Sequence, residues 1–154
     1  MTRTRALAVT MTVAAAVIGA DQVTTSWALD HLRRPVHLIG PLGLALQFNS
    51  GTAFSLFSGA GVWIVPVLVA VVAGVAVLAW RTRRLLPAVA FGLLLGGALG
   101  NLADRVLRGH RGDVVDFVTL SHWPTFNVAD ASITLGVVLL VAALLGVGRS
   151  GALR

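Results

Sequence analysis

The chain contains no Cys, no Glu, no Lys and no Tyr. Without Cys there is no disulfide, no thiolate metal site, no Cys nucleophile and no point for attaching a lipid to a Cys. Without Lys there is no Schiff-base chemistry and no Ser–Lys dyad. Charge of either sign is scarce: 12% of residues are charged against 56% hydrophobic, a balance unlike that of soluble domains. Several long stretches carry no charge at all. Residues 62–80, 85–102 and 131–148 are such runs, each about long enough to cross a hydrocarbon core as a helix. Residues 6–20 form a fourth, shorter run. The pattern predicts one integral membrane domain over residues 1–154: an all-α membrane protein with a bundle of four transmembrane helices. The spans are expected at about 6–27, 62–80, 85–102 and 128–148, with outer loops at 30–61 and 103–127.

All twelve basic residues are Arg, and the net charge is +6. That sign is compatible with nucleic acid, but these arginines cluster at helix ends. They read as topology signals and contacts for anionic membrane lipids, with no nucleic-acid partner. Arg3 and Arg5 before a short apolar run also have the shape of a secretory signal peptide. Ile18 stands where a small residue would be wanted for a cut after Ala20. The reading preferred is an uncleaved helix that runs past Asp21 and Gln22 towards Trp27. The positive-inside rule then makes the N-terminus, the Arg81–Arg84 turn and the tail with Arg149 and Arg154 cytoplasmic. Arg105, Arg108 and Arg111 oppose that rule from the second outer loop. Either they have other tasks or the orientation is reversed.

Within the first outer loop, residues 36–39 and 44–48 read as short strands, with a turn at Asn49-Ser50-Gly51. The piece is too small for its own core, so it is expected to pack on helix ends or at the interface. Trp63 and Trp80 bracket the second span as interfacial aromatics. Gly92, Gly96, Gly97 and Gly100 fit close helix packing without further purpose.

Standard catalytic motifs are missing. There is no HExxH pair and no G-x-S-x-G elbow. His31, His37, His110 and His122 lack metal-ligand spacing, so no metal and no cofactor are expected. A Ser–His pair stays open through Ser50, Ser121 and Ser132, with no spacing that selects one, and beside it stand the carboxylates. In a strand, Asp116 shares a face with Val114 and Val118, a setting that raises a carboxyl pKa by desolvation. Asp130 lies three residues after Asn127 at the start of the fourth span. Asn127 reads as an N-cap, and the helix dipole favours an ionised Asp130. An ionised carboxyl beside a protonated one can act as base and acid on one water. Aspartates in membranes also serve proton-coupled transport, and aspartates that merely cap helices and pair with arginines would suit a non-catalytic scaffold. These arguments do not rank Asp21, Asp104, Asp116 and Asp130.

Five motifs in order give a more specific reading. Asp21-Gln22, Asn49-Ser50-Gly51-Thr52-Ala53-Phe54-Ser55 and Gly96-Gly97-Ala98-Leu99-Gly100-Asn101-Leu102-Ala103-Asp104-Arg105 are the first three. Val114-Val115-Asp116-Phe117 and Phe126-Asn127-Val128-Ala129-Asp130, followed by Ser132, complete the set. Together they resemble signal peptidase II, the lipoprotein signal peptidase family of bacteria. The resemblance implies an aspartic endopeptidase of the bacterial cytoplasmic membrane. Its substrates would be prolipoproteins whose lipobox Cys carries diacylglycerol, cut just before that Cys. It implies a catalytic pair, Asp116 and Asp130, near the outer face. Asp21, Asn49, Gly51, Asn101, Asp104, Arg105, Asn127 and Ala129 are implied to support the site or touch substrate. It also implies a small extracytoplasmic β-cradle, which the 30–61 segment fits. A monomer is expected. In one departure, Thr24, Thr25 and Ser26 follow the Asp-Gln pair where many members carry a Lys.

Overall fold

The computed structural model describes residues 1–50, 65–110 and 112–146. Among the described residues four helices and four strands follow in the order α1 (Arg3–His31), β1 (Val36–Ile39), β2 (Leu42–Asn49), α2 (Val65–Arg81), α3 (Leu85–Leu107), β3 (Val114–Leu120), β4 (Trp123–Phe126) and α4 (Val128–Leu144). Gly51, the motif residues after it, Trp63, Arg111 and the tail with Arg149 and Arg154 lie outside the described residues.

α1 is capped by Thr2, whose Oγ1 accepts a hydrogen bond from Arg5 N at 3.3 Å. It buries Ala6, Thr10, Ala14, Val17, Asp21, Thr25 and Ala28. Those steps of four and three put one narrow stripe of mostly small residues against its neighbour, as in shallow-angle helix pairs. The neighbour is α3, which runs parallel to α1. Thr10 Oγ1 donates to Ala88 O at 3.0 Å near one end, and Gln22 Nε2 donates to Asp104 Oδ1 at 3.0 Å near the other. Two glycines permit the approach. A Cβ at Gly92 would lie 2.7 Å from Val13 Cβ, and one at Gly96 would lie 2.7 Å from Val17 Cβ. α4 packs antiparallel on the other side of α3, with Gly97 against Ala129 and Gly136 against Leu94.

Two helices, α1 and α3, are long and apolar enough to cross a membrane; α2 and α4 are shorter apolar helices of 17 residues. Large apolar side chains stand exposed along α2 (Val67, Val71, Val77, Leu78) and α4 (Leu135, Val138, Val141, Leu144). Such a surface is costly in water and natural in lipid.

α1 and α3 both exceed the lengths expected of their spans. The third was expected to end at residue 102, before the first charge. The helix instead continues to Leu107 and carries Asp104 and Arg105 with it. Both charges find partners there, and no residue breaks the helix before Gly109, whose φ is +69°.

The strands form one antiparallel sheet in the order β1-β2-β3-β4. β1 and β2 are joined at Gly40 and Pro41, with Gly40 at φ +53°, a turn conformation suited to glycine. Half the sheet thus comes from the second connection, not from residues 30–61 alone. β4 was not anticipated, because it is short and contains Pro124. An edge strand tolerates that residue, having one side without a partner. Central β3 is buried from Val114 to Phe117, so both its faces are covered there. The sheet rests on the helix ends through Phe117 against Ala28 and Leu32, joined by Leu44, Leu46, Val118 and Val128.

Candidate active site

Asp116 and Asp130 arrive from different elements. Asp116 sits in β3 opposite Gln47 of β2 and is 1% exposed. Asn49, two residues further along β2, donates from Nδ2 to Asp116 Oδ2 at 3.0 Å. The other oxygen, Oδ1, is buried and accepts no hydrogen bond among the described residues. Burial pushes the Asp116 carboxyl up to about 7, and the negative charge of Asp130 acts in the same direction. The Asn49 bond and Arg105 pull it down by less. A neutral carboxyl with a spare oxygen is equipped to share a proton with a bound group.

Asp130 stands in the first turn of α4 and is half-buried. Asn127 caps that helix: its Oδ1 accepts from Asp130 N at 2.9 Å. Asn127 Nδ2 donates to Asn101 Oδ1 at 3.0 Å and to Val115 O at 3.3 Å. Asn101 Nδ2 then donates to Asp130 Oδ1 at 2.8 Å, closing a ring of three residues around the carboxylate. Amide side chains suit this task because each gives and accepts at once. Arg105 is 7% exposed, donates from Nη1 to Asn101 O at 3.3 Å, and feels the charges of Asp130, Asp116, Asp104 and Asp113.

Asp21 and Asp104, both fully buried, lie one layer away. Asp21 Oδ1 accepts from Ala129 N at 3.0 Å, and Asp104 Oδ2 accepts from Val115 N at 3.2 Å. Thr25, at the departure noted in the first motif, is fully buried on the packed stripe of α1. Of the ten candidates, nine are gathered at this end of the bundle and Gly51 is outside the described residues. Gln22 and Arg108 are part of the network but are not among the ten candidates. The signals were slight: a second polar residue beside Asp21 in an apolar helix, and an Arg four residues after an Asp. Among the described residues, no group of three or more His, Cys, Asp or Glu side chains could hold a metal ion.

The sequence model of the Signal peptidase (SPase) II family matches residues 13–146. The lipoprotein signal peptidase of Rhodococcus jostii (strain RHA1) is 42% identical over 146 residues, covering 90% of this chain and 74% of that protein. The lipoprotein signal peptidase of Mycobacterium avium (strain 104) is 44% identical over 147 residues, covering 89% and 79%. A bacterial membrane enzyme solved by the in meso method at 2.3 Å resolution superposes with TM-score 0.81 at 29% identity, over 94% of this chain and 93% of that one. A second, solved the same way at 1.9 Å, gives TM-score 0.78 at 31% identity, over 89% and 92%. With the ordered motifs, the four helices and the sheet all in agreement, the chain belongs to the signal peptidase II family.

Proposed function

We propose that this chain is an aspartic endopeptidase that removes the signal peptide from diacylglyceryl-modified prolipoproteins, cutting just before the lipidated Cys. The observation that carries this is the pairing of Asp116 with Asp130: two carboxyls from separate elements, coupled by charge and held by Asn49, Asn101 and Asn127. Four helices span the bacterial cytoplasmic membrane, with both termini cytoplasmic and the sheet outside. The site lies at the outer interface, where acyl chains stay in lipid while water reaches the peptide bond.

Asp130 is the base. Asn101 and the first turn of α4 stabilise its negative charge against the cost of burial. It takes a proton from water, and the hydroxide attacks the scissile carbonyl. Asp116, protonated near neutrality, donates a hydrogen bond to that carbonyl oxygen from Oδ1, which has no partner among the described residues. The proton held at the pair passes to the leaving nitrogen, which becomes the amino group of the lipidated Cys. The released signal peptide ends in a carboxylate. Arg105 beside both aspartates stabilises the charge that remains on the pair.

The test mixes purified protein with a diacylglyceryl-modified precursor and with its unlipidated form. Cleavage of the first and not the second is expected. Asp116→Asn and Asp130→Asn should each lower the rate at least about a thousandfold while the protein still inserts. Normal turnover by either variant would sink the assignment. Reporter fusions at Arg83 and Arg108 test orientation, and a cytoplasmic Arg108 would reverse it.

A further inference from the structure

Arg108 follows Asp104 by one helical turn at the C-cap of α3, and its side chain is 15% exposed. Its guanidinium is fully engaged along one edge. Nε donates to Asp104 Oδ1 at 2.7 Å. Nη2 faces Gln22 O at 3.1 Å, Gln22 Oε1 at 3.0 Å and Ser26 Oγ at 3.2 Å. A planar fork can hold an acceptor on each of two helices in fixed geometry; an ammonium cannot. With its oxygen held, Gln22 turns its amide nitrogen to Asp21 Oδ2 at 3.1 Å and to Asp104 Oδ1 at 3.0 Å.

Each of those carboxylates then uses its second oxygen on a backbone N–H. Asp104 takes that of Val115, and Asp21 takes that of Ala129. Val115 directly precedes Asp116, and Ala129 directly precedes Asp130. Two arms therefore run from one junction, one to the strand bearing Asp116 and one to the helix bearing Asp130. Those segments are also joined by the 3.3 Å bond from Asn127 Nδ2 to Val115 O and by the pairing of β3 with β4, which leads into α4.

We propose that Arg108 and Gln22 form a yoke that sets Asp116 and Asp130 relative to one another. Both are positioning residues; neither reaches the reacting atoms. The proposal rests on the catalytic reading of the two aspartates. Its energetic basis is geometric: a displacement of about 1 Å at reacting groups costs on the order of a hundredfold in rate. Removing Arg108 also strips the cation from Asp104, a fully buried carboxylate, and frees Gln22 to turn. This gives one of the three outer arginines that opposed the topology rule a task of its own.

The experiment compares Arg108→Ala, Arg108→Lys, Gln22→Ala and the double variant Gln22→Ala/Arg108→Ala in the full-length protein, with Asp116→Asn as reference. Cleavage of the lipidated precursor is measured across pH. Arg108→Ala should lower kcat by about 10- to 100-fold. It should also move the alkaline limb of the profile by about half a unit or more, because Asp130, Arg105 and Asp104, the charges acting on Asp116, shift against it. Arg108→Lys, which reaches Asp104 but cannot also fork onto Gln22, should fall between. The double variant should be no slower than Arg108→Ala, as expected of one coupled unit. If Arg108→Ala fails to insert, Arg108→Lys and Gln22→Ala carry the same readouts. A rate loss that only scales the profile reports lost active protein and overturns the yoke. So does full activity in Arg108→Ala beside an inactive Asp116→Asn. Normal cleavage by Asp116→Asn overturns the catalytic reading and the yoke together.

Discussion

The two ends of the helix bundle use the same cation in opposite ways. At one end the α1 N-terminus meets the α2–α3 turn: the Met1 ammonium donates to Arg83 O at 3.1 Å, and Arg3 lies 4.0 Å from the centre of the Trp80 ring. Arg3, Arg5, Arg81, Arg83 and Arg84 are all exposed there. At the other end Arg105 is buried among carboxylates and Arg108 is mostly covered between α1 and α3. The individual contacts of exposed arginines are worth little. A buried Arg must be matched by acceptors, so it fixes the geometry of whatever matches it. Arg33 and Arg34 at that second end are exposed too, so the contrast rests on Arg105 and Arg108, the arginines that face the carboxylates.

Three measurements would break or sharpen this contrast. The largest effect is expected at Arg105. Arg105→Ala removes the cation that acts on Asp116 and Asp130, and cleavage should fall by about a hundredfold. Replacement of Arg83 should leave the rate within about twofold. Equal losses at both positions would erase the difference between the ends.

The second effect is a pH dependence of stability. The Asp116 carboxyl rises from 3.8 to about 7 on folding, chiefly through burial. Between those values the folded protein holds this proton more tightly than the unfolded chain does. The group therefore favours folding most at low pH, loses that contribution as pH rises through the window, and is level above about 7. Asp116→Asn removes the dependence. Its melting temperature relative to the unaltered protein should climb from about pH 5 to about pH 7 and then stay level. A constant difference across that range would mean that Asp116 is not desolvated. The variant would be the more stable and the less active protein, the trade-off expected when a buried charge is kept for chemistry.

The smallest effect is expected at Arg3. Arg3→Ala removes a cation–π contact at an exposed end, worth about 0.5–1 kcal/mol at most. The melting temperature should move by only a few degrees and cleavage should be unaltered. A loss of activity there would mean that the two ends are coupled through the bundle.

Much of the architecture was legible from residue types. Uncharged runs pointed to the helices, and β1 falls at the residues read as a strand. Asn127 reads as a helix cap three residues before Asp130, and its Oδ1 accepts from Asp130 N. The misreadings have a common origin. The first charge after the uncharged run suggests an end for α3 at residue 102, but Asp104 is matched by Arg108 one turn on and by the distant Gln22 and Val115, and Arg105 by Asn101 one turn back and by the charges of Asp116 and Asp130. β4 was missed because an edge strand needs a neighbour more than it needs an alternating pattern.

The sequence by itself determined that this is a membrane-type chain without thiol or lysine chemistry. Its ordered motifs determined the family, because local composition and spacing carry both. The tertiary structure alone decided how the aspartates are held. Asn49 is 67 residues from Asp116, and Gln22 is 82 from Asp104. Hydrogen bonds of that sequence span exist only once α1, α3 and the sheet have packed. Burial then raises the Asp116 carboxyl, and Arg108 turns from an apparent exception to a topology rule into a clamp between two helices.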